Sequence, residues 1–169
     1  MKHTVVALVE NHPGVLNRVA SLFRRRGFNI DSLTVGHTEI PRISRMTIVV
    51  DGANTVVEQV VKQLYKVIDV LKVSDISDDG AVTRELALIK VSATASTRSE
   101  IMQIVDIYRA KIVDVATDSL IIETTGTEDK IESLVQLVRR FGIKEMVRTG
   151  KVAMVRSVVG ATKLNNEED

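Results

Sequence analysis

Residues 3–27, HTVVALVENHPGVLNRVASLFRRRG, decide the fold, because they place a strand, a polar turn and a helix in direct succession. His3 to Glu10 is an apolar run of strand length. Val15, Leu16, Val19, Leu22 and Phe23 then recur at the spacing of one helix face. Arg24, Arg25 and Arg26 precede Gly27, which puts cations at the negative end of the helix and then a residue suited to a left-handed cap. The arginine run has a second reading as an anion or RNA patch, disfavoured by the nearly balanced charge of the rest of the module.

Working outward, Asn29 to Thr38 and Ser44 to Val50 read as strands. In the second of these Met46, Ile48 and Val50 alternate with Arg45, Thr47 and Val49. Val57, Val60, Val61, Leu64 and Ile68 mark a second helix, and Val70 to Ile76 closes the unit as a strand. The order is βαββαβ. After the connector SDDGAVT it recurs: Glu85 to Ala93, a helix marked by Ile101, Ile104, Val105 and Tyr108, Lys111 to Thr117, Leu120 to Thr125, a helix marked by Ile131, Leu134, Val135, Val138 and Phe141, and Ile143 to Val155. The repeat is one of topology, since STRSE stands where the first copy has NHPGV. The expectation is an α+β chain of two ferredoxin-like modules, residues 1–78 and 79–160, with a flexible tail at 161–169. Each unit predicts a four-stranded antiparallel sheet with both helices on one face. The strand NIDSLTVGHT falls at an edge and carries neither Lys nor Pro to protect it, so pairing with a second copy, a homodimer, is expected.

Composition narrows the function. With three Phe, two Tyr and no Trp, the core must be aliphatic and base-stacking platforms are lacking. A net charge of +1, with neither half of the chain strongly polarised, disfavours nucleic acid or an anionic membrane as a partner, since either would call for a basic face. Absence of Cys removes thiolate nucleophiles, disulfides and zinc–cysteine sites. The start MKHTVVALVENHPG has too short an apolar run for a signal peptide, and no stretch reaches the roughly 20 apolar residues of a membrane span. A soluble, cytoplasmic protein is expected.

The search for catalytic chemistry is mostly negative. No dinucleotide fingerprint, P-loop, nucleophile elbow or zinc-protease helix occurs. His3, His12 and His37 show no metal-ligand spacing and read as surface residues; no metal site is expected. The loop EIPRISR, residues 39–45, is either a plain hairpin connection or an interaction loop carrying two arginines. ENHPGVL, residues 10–16, has a bland reading in which His12 or Asn11 caps the helix and Pro13 takes its first position. Its other reading is a binding turn: Pro13 removes a donor and Gly14 a side chain. The N–H groups that follow are left bare at the positive helix end, where a small carboxylate fits, with Asn11 beside them.

VENHPGVLNRVASLFRRRGFNIDSLTVG followed by SRMTIVVDG resembles the ACT domain of the small regulatory subunit of acetolactate synthase, also called acetohydroxyacid synthase, and the resemblance covers essentially the whole chain. N-x-P-G-x-L is shared by many ACT domains; the block RGFNIDSLTVG with SRMTIVV is more specific to this subunit. The resemblance implies a non-catalytic subunit that binds the catalytic large subunit, raises its activity and confers feedback inhibition by valine on branched-chain amino-acid (valine, leucine, isoleucine) biosynthesis. Thiamine diphosphate, magnesium and FAD would belong to that partner, with no cofactor on this chain. It further implies an effector site of Asn11, Pro13, Gly14, Val15 and Leu16, completed by Asn29 and Ile30 of a second copy. Asn11 and the turn's N–H groups would receive the amino-acid carboxylate and Asn29 would hold the ammonium. Arg42, Arg45 and Met46 are the candidate contacts to the large subunit. The second module, lacking the turn, would dimerise and contact the partner. Two rivals share the topology. An RNA-binding module needs exposed aromatics on its central strands, which are missing; a freestanding ACT-type amino-acid sensor acting on another enzyme or regulator would need a DNA-binding segment or another enzyme as its target, and no helix-turn-helix extension is visible.

Overall fold

The structure is a computed structural model that describes residues 1–157; the expected tail at 161–169 and the last three residues of the second module lie outside the described residues. The first module runs β1 (Lys2–Glu10), α1 (Val15–Arg26), β2 (Ile30–His37), β3 (Ile43–Asp51), α2 (Asn54–Leu64) and β4 (Val70–Asp75). Its antiparallel sheet has the order β2-β3-β1-β4, so β2 is an edge, as its place in the motif predicts. The second module runs β5 (Ala81–Ser92), α3 (Arg98–Ile107), β6 (Lys111–Val115), β7 (Ser119–Gly126), α4 (Glu128–Val138), a single 3-10 turn (Arg139–Phe141), β8 (Ile143–Arg148) and β9 (Val152–Val155). Its sheet order is β6-β7-β5-β8, with β9 paired to the beginning of β5. The chain is therefore α+β with two ferredoxin-like modules.

Alternation along the strands assigns the faces. Val5, Ala7 and Val9 of β1 with Met46, Ile48 and Val50 of β3 turn toward the helices. There they meet Val15, Val19, Leu22 and Phe23 of α1 and Val57, Val60 and Leu64 of α2 in one aliphatic core. His3 shares the parity of Val5 and is buried, not on the surface as expected; its Nε2 lies 3.2 Å from the Gly52 carbonyl. The end of α1 follows the sequence reading closely. Gly27 adopts φ 68°, its N–H donates to the Arg24 carbonyl, and the Phe28 N–H donates to the Phe23 carbonyl. Phe28 then packs edge-on against Phe23, with ring centroids 6.2 Å apart, completing a Schellman motif with its hydrophobic contact.

Ile68, expected to mark the second helix, lies beyond the end of α2 at Leu64 and is 86% exposed. Two strand boundaries also differ from the sequence reading, for one reason. The segment Ile143 to Val155 is not a single strand: Gly150, at φ 85°, breaks it into β8 and β9. The returning β9 pairs with Ala81–Arg84, extending β5 back into the stretch read as connector. This two-stranded ribbon lies over the helix-free face of the first sheet. Val6, Ile76 and Ala153 form a small core there, packed by Ala81; Thr47 and Val49 are buried on the same face. Arg45 Nη2 donates to the Ala153 carbonyl at 2.7 Å, and Thr34 Oγ1 donates to the Thr149 carbonyl at 3.3 Å. Lys2 Nζ bridges Asp31 at 2.9 Å and Glu128 at 2.5 Å. These hydrogen bonds, Glu128 foremost, hold the lysine well above its usual range and Glu128 below its own. Part of the helix-free face of the first sheet is thus covered by the chain itself.

Candidate functional site

The turn after β1 is fixed by its neighbours rather than by a cap of its own. The Glu10 N–H donates to the Asp69 carbonyl at 2.9 Å and the Asn11 N–H to the Arg42 carbonyl at 2.8 Å, which tie it to the α2–β4 loop and to the β2–β3 hairpin. Gly14, at φ 90° and ψ −11°, occupies the N-cap position of α1 and provides no side-chain cap. Neither His12 nor Asn11 caps the helix, and Pro13 lies before the cap instead of at the first helical position. The first bond along the helix is from the Arg18 N–H to the Gly14 carbonyl at 3.0 Å. No acidic residue stands in the first turn, so nothing in this helix offsets its positive end. Val15 is buried beneath the turn, while Leu16 is 46% exposed beside it. Bare N–H groups next to an exposed leucine suit a carboxylate that carries an aliphatic side chain.

Asn11 is placed differently from the expectation. Its Nδ2 lies 3.1 Å from His37 Nδ1 and donates to the Pro41 carbonyl, also at 3.1 Å. The Pro41 carbonyl can only accept, which assigns the amide orientation. Both donors are thereby committed to the hairpin, and Oδ1 remains as an acceptor. Such an oxygen complements an ammonium, so a carboxylate is left to the helix N–H groups alone.

Beneath the turn sits an ion-pair cluster that the sequence does not announce. His12 Nε2 is 2.8 Å from Asp69 Oδ1 and 3.5 Å from Glu10, and Arg18 Nη1 is 2.6 Å from Asp69 Oδ2. The hydrogen bond with the Pro13 carbonyl, assisted by Asp69, raises the His12 pKa against the opposing effect of desolvation. Burial pushes the Asp69 carboxyl up, but Arg18 and His12 outweigh it and hold it below the usual range. Ligand-type atoms of Glu10, His12 and Asp69 lie within 4.8 Å of one another. Arg18 already neutralises Asp69, so the geometry is that of an ion-pair network bracing the turn. Asp69 escaped the sequence reading because it is remote in the chain and has no motif around it.

The remaining candidates divide. Asn29 and Ile30 stand at the start of β2, where Ile30 pairs with Val50, whereas the turn lies at the other end of the sheet, where His37 pairs with Ser44. Eight residues of strand, at about 3.3 Å each, separate the two ends by roughly 25 Å. One copy therefore does not bring Asn29 to its own turn. Asn29 is exposed, and Ile30 packs partly against the core. Arg42 is exposed in the hairpin. Arg45 is engaged by the ribbon through Ala153. Met46, at 1% exposure, faces the helices, since strand alternation sets it with Ile48 and Val50; it is withdrawn from any contact surface.

Comparison with known proteins agrees with this architecture. Residues 6–72 match the family model described as AHAS small subunit-like ACT domain, and residues 84–157 match that described as small subunit of acetolactate synthase. The chain is 62% identical over 156 residues to the probable acetolactate synthase small subunit of Archaeoglobus fulgidus, covering 92% of this chain and 98% of that one. It is 52% identical over 163 residues to the acetolactate synthase small subunit of Mycolicibacterium smegmatis, covering 95% and 96%. The crystal structure of the acetolactate synthase small subunit from Thermotoga maritima superposes with a TM-score of 0.86 at 45% identity, covering 94% of this chain and 99% of that chain. With both modules matched and likeness along almost its full length, the chain belongs to the acetolactate synthase small-subunit family, its first module being an ACT domain.

Proposed function

We propose that this chain is the regulatory subunit of acetolactate synthase, which activates the catalytic large subunit and makes it sensitive to valine. Membership of the small-subunit family supports a regulatory, non-catalytic role. The observation that carries the effector reading is the uncapped start of α1 behind Pro13 and Gly14, with Asn11 Oδ1 and the exposed Leu16 beside it. Valine presents a carboxylate, an ammonium and a short aliphatic side chain, and these three groups have complements there. The carboxylate meets the N–H groups of Val15 and Leu16 at the positive helix end, and Asn11 Oδ1 accepts from the ammonium.

Asn29 enters from a second copy. Among the described residues β2 pairs only with β3, which leaves its outer edge open. Antiparallel pairing of two β2 strands about a two-fold axis near Leu33 would set Asn29 opposite the partner's His37, at the end of the sheet where the turn lies. The homodimer so formed carries two equivalent effector sites. Thiamine diphosphate, magnesium and FAD belong to the large subunit in this reading, and the assembly works in the cytoplasm. Among the described residues no helix is long and apolar enough to cross a membrane.

The test is reconstitution. Acetolactate formation by the large subunit is measured alone, with this chain, and with this chain plus valine. The proposal expects the rate to rise on addition of the chain and to fall with valine only when the chain is present. Equal rates in all three mixtures would refute it.

A further inference from the structure

A groove on the helix face of the first module has no part in the effector site. It runs between α1 and the end of α2, and its walls carry Arg18, Arg24, Arg25 and Arg26 from one side and Lys66 from the other. Five cations in one groove stand out in a chain whose net charge is +1. Arg18 is neutralised by Asp69 and Arg26 donates to Gln63 at 3.0 Å. Among the described residues Arg24, Arg25 and Lys66 enter no ion pair. The arginines suit the negative end of α1, but the cap at Gly27 is made of backbone bonds from Gly27 and Phe28, so among the described residues the guanidinium groups of Arg24 and Arg25 keep their hydrogen-bonding capacity for another molecule.

The shape of the groove selects among anionic partners. At about 1040 Å³ and open to solvent, it stands at the upper end of the roughly 300–1,000 Å³ of small-ligand clefts and does not enclose a ligand. Its floor is apolar, with Leu22 and Val67, and Ile68 stands 86% exposed at one end. No aromatic residue lines it to stack a base. Basic walls over an apolar floor with a protruding isoleucine complement an acidic amphipathic segment of a protein, charge on its flanks and an apolar residue toward the floor. The groove also lies in the helix layer, whereas the proposed pairing of copies uses the β2 edge of the sheet. A dimer formed there leaves it accessible.

We propose that the α1–α2 groove docks an acidic, amphipathic segment of the catalytic large subunit. This rests on the regulatory reading given above. The experiment uses the full chain, the large subunit of the same organism, and the double variant Arg25→Glu/Lys66→Glu, one change in each wall. Affinity is measured by sedimentation at about 0.05 and 0.2 M salt, with valine binding to the isolated chain as a control. The expected result is wild-type binding that weakens with salt, binding by the double variant at least tenfold weaker at low salt, and unchanged valine affinity. Ile68→Ser, at an exposed position beyond α2, gives an independent reading: weaker binding with an unaltered salt dependence. Should wild type and variants bind the large subunit equally, the groove assignment falls and the regulatory reading stands. Wild type failing to bind at all overturns both. If the double variant loses affinity only for a 20-nucleotide RNA and keeps the large subunit, the groove is a nucleic-acid site and the proposal is wrong.

Discussion

Gly14→Asp separates the folding role of the turn from its binding role. Position 14 has φ 90°, a left-handed conformation that costs a residue with a Cβ about 1–2 kcal/mol. The added Cβ meets nothing within 4 Å, so no steric penalty is added. Asp is among the better N-caps, worth about 1 kcal/mol, and a carboxylate here would accept from the vacant first-turn N–H groups. The two effects nearly cancel, and the melting temperature should move by no more than about 3 °C. Binding is another matter. The new carboxylate occupies the donors that the effector's carboxylate requires and repels it as well. Loss of two hydrogen bonds to a charged group, about 1.5–3 kcal/mol each, weakens valine by more than 100-fold. Calorimetric titration of valine into dimeric protein measures this, alongside the thermal melt. Unchanged affinity with an unchanged melt would show that the effector lies elsewhere.

Further expectations concern other parts of the molecule. Asn29→Ala should weaken valine roughly 10- to 150-fold with the dimer intact by sedimentation, the range of one hydrogen bond to a charged group. Gly150→Val places a Cβ about 3.1 Å from Thr34 Oγ1 and 3.3 Å from Ser32 Cβ at φ 85°, and strain of 1–2 kcal/mol or more should lower the melting temperature by about 3–8 °C. Arg148→Met strands the carboxylate of Glu85, which is 7% exposed and ion-paired to Arg148; a loss of about 3 kcal/mol in denaturant unfolding is expected, and adding Glu85→Leu should restore most of it. Because the folded-state pKa of His12 is raised, its pairing stabilises fully below the unfolded value of about 6.5 and fades as pH rises through the folded value. The difference in melting temperature between wild type and His12→Gln should therefore be largest near pH 6 and shrink toward pH 9, and growth with pH would contradict the assignment.

What could be read from the sequence was local. The periods of 3.6 and 2 place α1, α2, β1 and β3 with their buried faces, and RRRG marks the end of α1 because a left-handed glycine there needs only backbone partners. Alternation alone already turns Met46 inward with Ile48 and Val50, which removes it from the candidate contacts to the large subunit. The misses are nonlocal. Gly150 looks like one residue within a long strand, yet its positive φ folds β9 back onto Ala81–Arg84 and covers Val6, Thr47 and Val49. Asp69, which braces the turn through His12 and Arg18, belongs to a loop that only the fold brings there. The commitment of the Asn11 amide to His37 and Pro41 likewise depends on where the hairpin ends, which no spacing encodes.

The central claim, that each effector site joins the turn of one copy to Asn29 of another, is tested most directly by mixing two defective variants. In a heterodimer of Gly14→Asp and Asn29→Ala chains, one composite site carries both defects and the other carries neither. Subunits exchanged in mild denaturant and returned to native conditions should form heterodimers as about half of the dimers. Titration should then recover wild-type valine affinity at about one quarter of all sites, although each parent binds weakly alone. Recovery of no high-affinity sites, with heterodimers demonstrated by mass spectrometry, would contradict a site shared between two chains.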